Sequence, residues 1–420
     1  MLGEVLGIYV GLMVSSYVST VVLIVSKRSW GNLPRLYVKL VEWIQNYLTE
    51  GAPLADEENN NMNEPVIGKL HLTPVAIKNL GNDPFQLSME MMRSGVECIL
   101  QDDLERPFES SPTDTWLLMS SPPRSQLTHN LIYSLSVSFR WGFLFPLRMM
   151  FLFTALLWAL TTGIFVAMVP TTSRRTVNYF AITFAKLMSA SIGMIVKGYN
   201  RENLPRAPGI AVANHMSAND VFTIYSDCDY EGYSFTVTGQ KHGGFAGLLE
   251  KLGEKLTHAL WMDREDMRDR ANFQKKVISY ASNSDVDPVL LFPEGFCSNN
   301  TTVLQFRKAV FTGEVPIYPV AFLQNSRVGD AFWKEDTFIP YVIRVMTSFA
   351  TLYEIYYLAP MEKKETEDAV AFAGRVQSAI AAKVGITALP YDGGLKRAKN
   401  RLAYQQKIQA AVYEKLVMAH

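Results

Sequence analysis

A histidine stands five residues before an aspartate in VANHMSANDV, Val212 to Val221. An imidazole that takes a proton, held in its tautomer by a carboxylate, is a general-base dyad. The spacing sets a condition on that chemistry. On an uninterrupted helix five residues turn the chain through about 500°, which leaves the two side chains roughly 140° apart. His215 and Asp220 meet only if the histidine sits in a strand-to-helix turn and the aspartate in the first helical turn. The apolar run GIAVA before them and the helix-like stretch after them supply that context. The plainer alternative is a capping aspartate beside an ordinary turn histidine. Ser217 lies between the two, but no G-x-S-x-G elbow surrounds it, so a cap suits it better than a nucleophile.

Two further stretches carry polar residues at strand ends, and a third is structural when taken alone. In LLFPEGFCSNN, Leu290 to Asn300, a buried apolar strand runs into Phe292, Pro293, Glu294 and Gly295. Ligands of open α/β sheets bind at such ends. A glycine there lets backbone N–H groups approach a phosphate, and Glu294 is placed to bind a substrate hydroxyl. A tight turn with a surface carboxylate is the competing reading. In ALWMDREDMRDR a strand-like piece meets Arg264, whose planar fork suits a phosphate. Arg268 and Arg270 read as one solvated helix face. PIYPVAF, Pro316 to Phe322, is a buried strand broken by Pro319. Lys308, in QFRKAVF, is a second candidate for an anion contact.

The elements that must hold these groups have α/β texture from Gly198 onward. Strands are expected at Gly209–Asn214, Phe235–Gln240, Pro288–Phe292, Val315–Phe322 and Thr351–Leu358. Helices are expected near Asn219–Ser226, Gly244–Lys255, Arg264–Ser282, Val303–Thr312 and Glu367–Lys383, with Gly385 capping the last. Residues 198–390 then form one α/β domain, followed by a basic helical tail at 391–420 suited to anionic lipid.

Before that domain the chain is different. Val5 to Ser26 and Met149 to Val169 carry no charged residue, and a bilayer is crossed by about 20 apolar residues. The first lacks a basic n-region and a cleavage site, so it reads as an anchor in residues 1–50. Lys27 and Arg28 favour a cytosolic side there. Thr176 to Val196, with Lys186 as its one charge, reads as a second span, a re-entrant leg or an interfacial helix. Residues 141–197 are accordingly a membrane hairpin or interfacial pair. GAPLADEENNNMNEP, residues 51–65, is a flexible linker. Residues 66–140 read as a mixed helical and loop region with no chemistry, a surface for partners or regulation.

Composition narrows the function. The chain has 420 residues, 48% hydrophobic, enough for a packed core. A net charge of zero argues against a nucleic-acid partner, so any anionic substrate must meet a local positive cluster. Cys98, Cys228 and Cys297 show neither metal-ligand spacing nor a pairing pattern, which points to a reducing compartment. No metal is expected.

The four stretches occur in the order and spacing of one family. N-H-x4-D (Asn214, His215, Asp220), WMDR ending at Arg264, F-P-E-G (Phe292 to Gly295) and IYPVAF around Pro319 resemble the lysophospholipid and glycerol-phosphate acyltransferases. GQKHGG, REDMRDR, FPEGFCSNNT, GDAFW and LPYDGGLKRAK are similar to its endoplasmic-reticulum branch, the type 3 and type 4 glycerol-3-phosphate acyltransferases. The likeness covers about 208 to 400 well. Where the family commonly has Thr and Pro inside the first motif, Thr after F-P-E-G and an aromatic residue before the second-motif Arg, this chain has Met216, Ala218, Phe296 and Met262. The resemblance implies a mixed, mostly parallel sheet flanked by helices, behind N-terminal membrane helices. It implies an enzyme with His215 as base and Asp220 as its orienting partner. Arg264, Glu294, Gly295 and Lys308 would bind substrate, with Asn214, Phe292, Pro293 and Pro319 in support. The partners are acyl-CoA as co-substrate, glycerol-3-phosphate and membrane lipids. No resident cofactor is implied. A lysophosphatidate or lysophosphatidylcholine acyltransferase, or a lipid-binding scaffold with a dead site, are the alternatives. Acyl-CoA is cytosolic, so the catalytic domain should face the cytosol from the endoplasmic-reticulum membrane, leaving the Asn299 and Asn300 sequons unglycosylated.

Overall fold

A computed structural model describes residues 2–49, 104, 106–109, 126–230, 234–240, 259–262 and 267–396. Arg264, the expected helix at Gly244–Lys255, the linker at 51–65 and the tail from residue 397 lie outside them.

Two stretches are long and apolar enough to cross a membrane, Gly3–Val25 and Asn130–Met168, with mean hydropathy 2.1 and 2.0. The first is helix α1 (Leu2–Val25). The second joins α3 (Gln126–Phe139) through a π turn at Arg140–Leu144 to α4 (Phe145–Met168). Between them, α2 (Leu33–Thr49) follows α1 after a short basic turn. The chain is membrane-associated through these apolar helices.

The third apolar stretch turns out otherwise. Its first part is α5 (Arg174–Ser191), started by the Ser173 side chain, which accepts from the Thr176 N–H. Ala181, Ile182 and Ala185 enter the core of the α/β domain, and Leu187 meets Ile24 of α1 and Ala155 of α4. Its lone charge, Lys186, stands 4.6 Å above the Tyr230 ring. So α5 is a packed domain helix, not a span. The stretch then runs through Gly193, in the left-handed conformation at φ +62°, into strand β1 (Met194–Tyr199). The domain therefore begins before residue 198, since that boundary would cut β1. A strand six residues long and half-buried throughout has no alternation to reveal it.

The sheet is built from β1, β2 (Ile210–Ala213), β3 (Thr236–Gln240), β4 (Leu260–Met262), β5 (Val289–Leu291), β7 (Ile317–Asn325) and β8 (Thr351–Tyr357). Its order is β1-β8-β7-β2-β5-β3-β4. Every neighbouring pair is parallel except β7 with β8. β2, IAVA, lies mid-sheet and is buried on both faces, which is why it reads as an unbroken apolar run. A minor pair joins β6 (Thr302–Val303) to β9 (Thr387–Ala388). The flanking helices are α6 (Asp220–Asp227), α7 (Met267–Ala281), α8 (Phe338–Met346) and α9 (Ala369–Val384), the last capped by Gly385 at φ +73°.

The helix expected at Val303–Thr312 does not form. That stretch is β6 and a single 3-10 turn at Lys308–Val310. Its apolar residues Val303, Phe306, Val310 and Phe311 fill the core beneath α9. The Leu304 N–H is spent on Glu294 rather than on a helical carbonyl. A tertiary bond overrides the local periodicity there.

A buried arginine adds a polar clamp to the apolar packing between the membrane helices and the domain. Arg148 of α4 donates to the carbonyls of Met346, Ser348 and Phe349, at 2.6 to 2.8 Å. A Cβ at Gly193 would stand 2.0 Å from its guanidinium, so only glycine fits there. The loop after α8 is thereby tied to the start of the apolar helix.

Candidate active site

β2 ends at Ala213, and Asn214 fixes that end. Its Nδ2 donates to the Phe322 carbonyl (2.9 Å) and its Oδ1 accepts from the Phe322 N–H (2.7 Å), pinning the turn to β7 next door. His215 is therefore held in the turn and Asp220 opens α6, the arrangement the spacing required. His215 Nδ1 and Asp220 Oδ2 are 2.9 Å apart. This leaves Nε2 for a substrate proton. The histidine side chain keeps 20% of its surface exposed, while Asp220 is fully buried.

Asp220 is the centre of the turn's hydrogen bonding. Its Oδ2 also accepts from the backbone of Met216 (2.6 Å) and Ser217 (3.0 Å). Its Oδ1 accepts from the hydroxyls of Ser217 (3.3 Å) and Tyr353 (3.4 Å). One carboxylate thus ties down the turn that precedes α6 and orients the imidazole. Ser217 is buried and bonded within the turn, which gives it a cap's geometry, not a nucleophile's.

The Phe292 ring stacks on the imidazole, centroids 4.4 Å apart. Burial lowers the His215 pKa, but the adjacent Cys297 thiol and the Asp220 carboxylate outweigh it and hold the imidazole well above the ordinary 6.5. Sequence reasoning gave Cys297 no part in the site. The polar turn after Pro-Glu-Gly was its only signal, and the turn closes on the histidine through Ser298 N–H to the His215 carbonyl, 2.9 Å.

Glu294 differs from expectation. Its Oε1 accepts from the His215 N–H (2.7 Å) and its Oε2 from the Leu304 N–H (2.8 Å), and its side chain is fully buried. No face of the carboxyl is open to a substrate hydroxyl. It is a positioning residue that binds the histidine turn to the chain after β5. Burial pushes its pKa up to about 8, against the pull of both N–H donors. Glu294 therefore holds a proton in the fold over a range where the unfolded chain has lost it. This contribution to stability falls as pH rises from 4.5 to about 8. Glu294→Gln keeps one acceptor oxygen but sets an NH2 against the other backbone donor, at a cost of about 1–3 kcal/mol. We expect kcat to drop with little change in acceptor KM, and the pH slope of the melting temperature in detergent to flatten. A raised acceptor KM with unchanged kcat would return Glu294 to the substrate.

Gly295 adopts φ +68°, and a Cβ on it would come within 3.0 Å of the Arg307 guanidinium. Among the described residues, Arg307 rather than Lys308 sets its cation beside Gly295. Its guanidinium lies 5.7 Å over the Phe296 ring and 3.9 Å from Asp392. Lys308 is exposed at the start of the 3-10 turn. Pro319 sits within β7, level with Val212 of β2, where it is buried. The expected contact by Arg264 falls outside the described residues.

Part of the 66–140 region also reaches the site. Leu104 and Phe108 pack with Leu304, Leu389 and Tyr391, and Asn299 Nδ2 donates to the Arg106 and Glu109 carbonyls. Asn300 is buried and bonded to β7 through Phe322 and Gln324. Both sequon amides are hydrogen-bonded, that of Asn300 buried and that of Asn299 half-buried.

A histidine–aspartate dyad at the carboxyl end of a mostly parallel sheet, stacked on the strand that ends in Phe-Pro-Glu-Gly, defines the acyltransferase class. The Acyltransferase family model matches residues 195–323. The chain belongs to the glycerol-3-phosphate acyltransferase family, in its type 3 and type 4 branch. Glycerol-3-phosphate acyltransferase 3 of Mus musculus is 32% identical over 404 residues, covering 92% of this chain and 89% of that protein. Glycerol-3-phosphate acyltransferase 4 of Homo sapiens is 33% identical over 354 residues, covering 82% and 76%. Among solved structures, the 1-acyl-sn-glycerophosphate acyltransferase of Thermotoga maritima aligns with a TM-score of 0.41 at 18% identity, over 57% of this chain and 94% of that one.

Proposed function

We propose that this chain transfers the acyl group of an acyl-CoA to a hydroxyl of glycerol-3-phosphate, making 1-acyl-glycerol-3-phosphate, the first step of phospholipid and triacylglycerol synthesis. The observation that carries the reading is the His215–Asp220 contact of 2.9 Å beneath the Phe292 ring. His215 Nε2 takes the hydroxyl proton as the oxygen attacks the thioester carbon. The C–S bond breaks, and the CoA thiolate leaves and takes the proton from the imidazolium. Asp220 holds the tautomer and stabilises the charged ring in between. No acyl-enzyme is required, and the reaction so written uses no metal or prosthetic group.

Arg264 and the backbone at Gly295 hold the acceptor phosphate. Arg307 stands close enough to Gly295 to share in this, and a guanidinium fork suits a phosphate better than an ammonium does. The apolar helices belong with a lipid product that leaves into the bilayer. Acyl-CoA is a cytosolic donor, so the site works on the cytosolic face of the endoplasmic-reticulum membrane.

The test supplies labelled acyl-CoA to membranes holding the full chain, with glycerol-3-phosphate, lysophosphatidate or lysophosphatidylcholine as acceptor. Acylation of glycerol-3-phosphate is expected at a kcat/KM at least tenfold above either lysolipid. Preference for a lysolipid would overturn the acceptor assignment and leave the dyad intact.

A further inference from the structure

Helix α2 has two faces of opposite fate. Val38, Val41 and Gln45 are buried against the domain, packing on Val328, Phe349 and Ala350. The helix is held there by Gln45 Nε2 donating to the Arg327 carbonyl (2.9 Å) and Tyr37 OH donating to that of Phe349 (3.3 Å). The other face carries Leu36, Leu40, Trp43 and Tyr47, spaced to form one stripe along the helix. They are exposed, Leu40 by 55% and Trp43 by 63%. Helix α8 repeats the pattern. Tyr341, Val345 and Met346 pack on Ile192 and on Phe145 and Met149 of α4, while Ile339 is 70% exposed and Phe338 and Ile343 stand out beside it.

Both stripes lie at the end of the domain where the membrane helices arrive. The loop after α8 is touched by α2 through Phe349 and clamped by Arg148 of α4. α2 itself begins a few residues after α1 ends. The charge of the segment is one-sided, with Lys27, Arg28, Arg35 and Lys39 against Glu42 alone. A helix held by one face, apolar on the other and edged with basic residues is built to lie in a lipid interface.

We propose that α2 and the exposed end of α8 lie in the headgroup–acyl boundary of the leaflet that α1 and α4 enter, with the basic residues of the α2 segment on anionic headgroups. The inference rests on the membrane association of the chain, and it gives the catalytic domain a fixed seat. The Asn219 Nδ2 donates to Tyr341 OH of α8 at 2.7 Å, and the Trp333 N–H donates to the Met216 carbonyl at 3.2 Å. Seating α8 on lipid therefore sets the His215 turn at the surface through which a lipid product departs.

The test places a photoreactive benzoylphenylalanine at Leu40 or Ile339 of the full chain. The host is native membranes, then vesicles of phosphatidylcholine and phosphatidylserine carrying labelled lipid. Val14 of α1, exposed in an apolar helix, and Glu365, on the domain surface, are the reference positions. Positions 14, 40 and 339 are expected to form lipid adducts, with the serine lipid enriched at 40 over its share, and 365 none. Protein adducts at 40 and 339, or no adducts there while 14 labels, would overturn the seat and spare the anchor. Lack of labelling at 14 as well would overturn membrane association and the seat together. Serine lipid at 40 no higher than its share would overturn the headgroup assignment.

Discussion

His215→Ala is expected to lower the turnover of glycerol-3-phosphate acylation by about two to four orders of magnitude, the scale of a lost general base. Substrate KM should change little, because in the proposed reaction the imidazole supplies a proton acceptor and not a binding surface. The fold is expected to survive, since among the described residues the side chain's partners are Asp220, Phe292 and the neighbouring thiol. The bonds that hold the turn come from the backbone N–H and carbonyl of residue 215, which alanine keeps. Initial rates with labelled acyl-CoA measure the loss, and a circular dichroism melt in detergent checks the fold. Full activity in this variant would remove His215 from the chemistry. The wild-type pH profile carries the same information. A general base works as the neutral ring, so the rate climbs with pH and levels off above the imidazole pKa. Burial pulls that pKa down, the Cys297 thiol and Asp220 carboxylate push it up further, and it stands well above 6.5. The acid limb of kcat/KM should therefore lie on the alkaline side of 6.5.

Asp220→Asn removes the carboxylate and keeps the shape. Turnover falls by about two to four orders of magnitude, as an amide neither selects the working tautomer nor stabilises the imidazolium. The acid limb moves to lower pH, because one of the contributions that raise the His215 pKa is gone. Stability falls as well. Asp220 accepts from two backbone N–H groups, two hydroxyls and the imidazole. An amide in its place must turn an NH2 toward some of those donors, and each stranded buried group costs about 1–3 kcal/mol. The double readout separates roles. A purely capping aspartate would lower the melting temperature and leave the pH profile where it was. A shifted acid limb identifies its partnership with the histidine.

The geometry of the candidate site was legible in the chain because motif and element coincide locally. The run IAVA is a strand buried on both faces, and the turn after it must carry His215 and Asp220 together. The Pro-Glu-Gly turn follows another such strand. Each of these follows from a few adjacent residues and from the steric rules of strands and turns. The five core strands and the capped last helix were readable for the same reason. Arg264, the second-motif cation, belongs to this sequence-level account only.

Tertiary structure decided the rest. Glu294 looked like a hydroxyl ligand beside a glycine turn. Its two acceptor bonds go to backbone groups of residues 215 and 304, one of them far along the chain, and no local pattern encodes that pairing. The same bond draws Leu304 out of helical geometry, so an apolar periodicity became β6 and a single turn. Lys308 and Arg307 are adjacent and alike in sequence, and only the fold sets the guanidinium of one against Gly295. The stretch Thr176 to Val196 is apolar enough for a bilayer by composition. Long-range burial against the sheet makes it α5 and β1 instead. By itself the sequence determined which residues could do acyl transfer and which strands present them. Which of those residues stay exposed in the turn, and which are spent on holding the histidine in place, was decided by contacts between segments distant in the chain, where burial and hydrogen-bond satisfaction outweigh local preference.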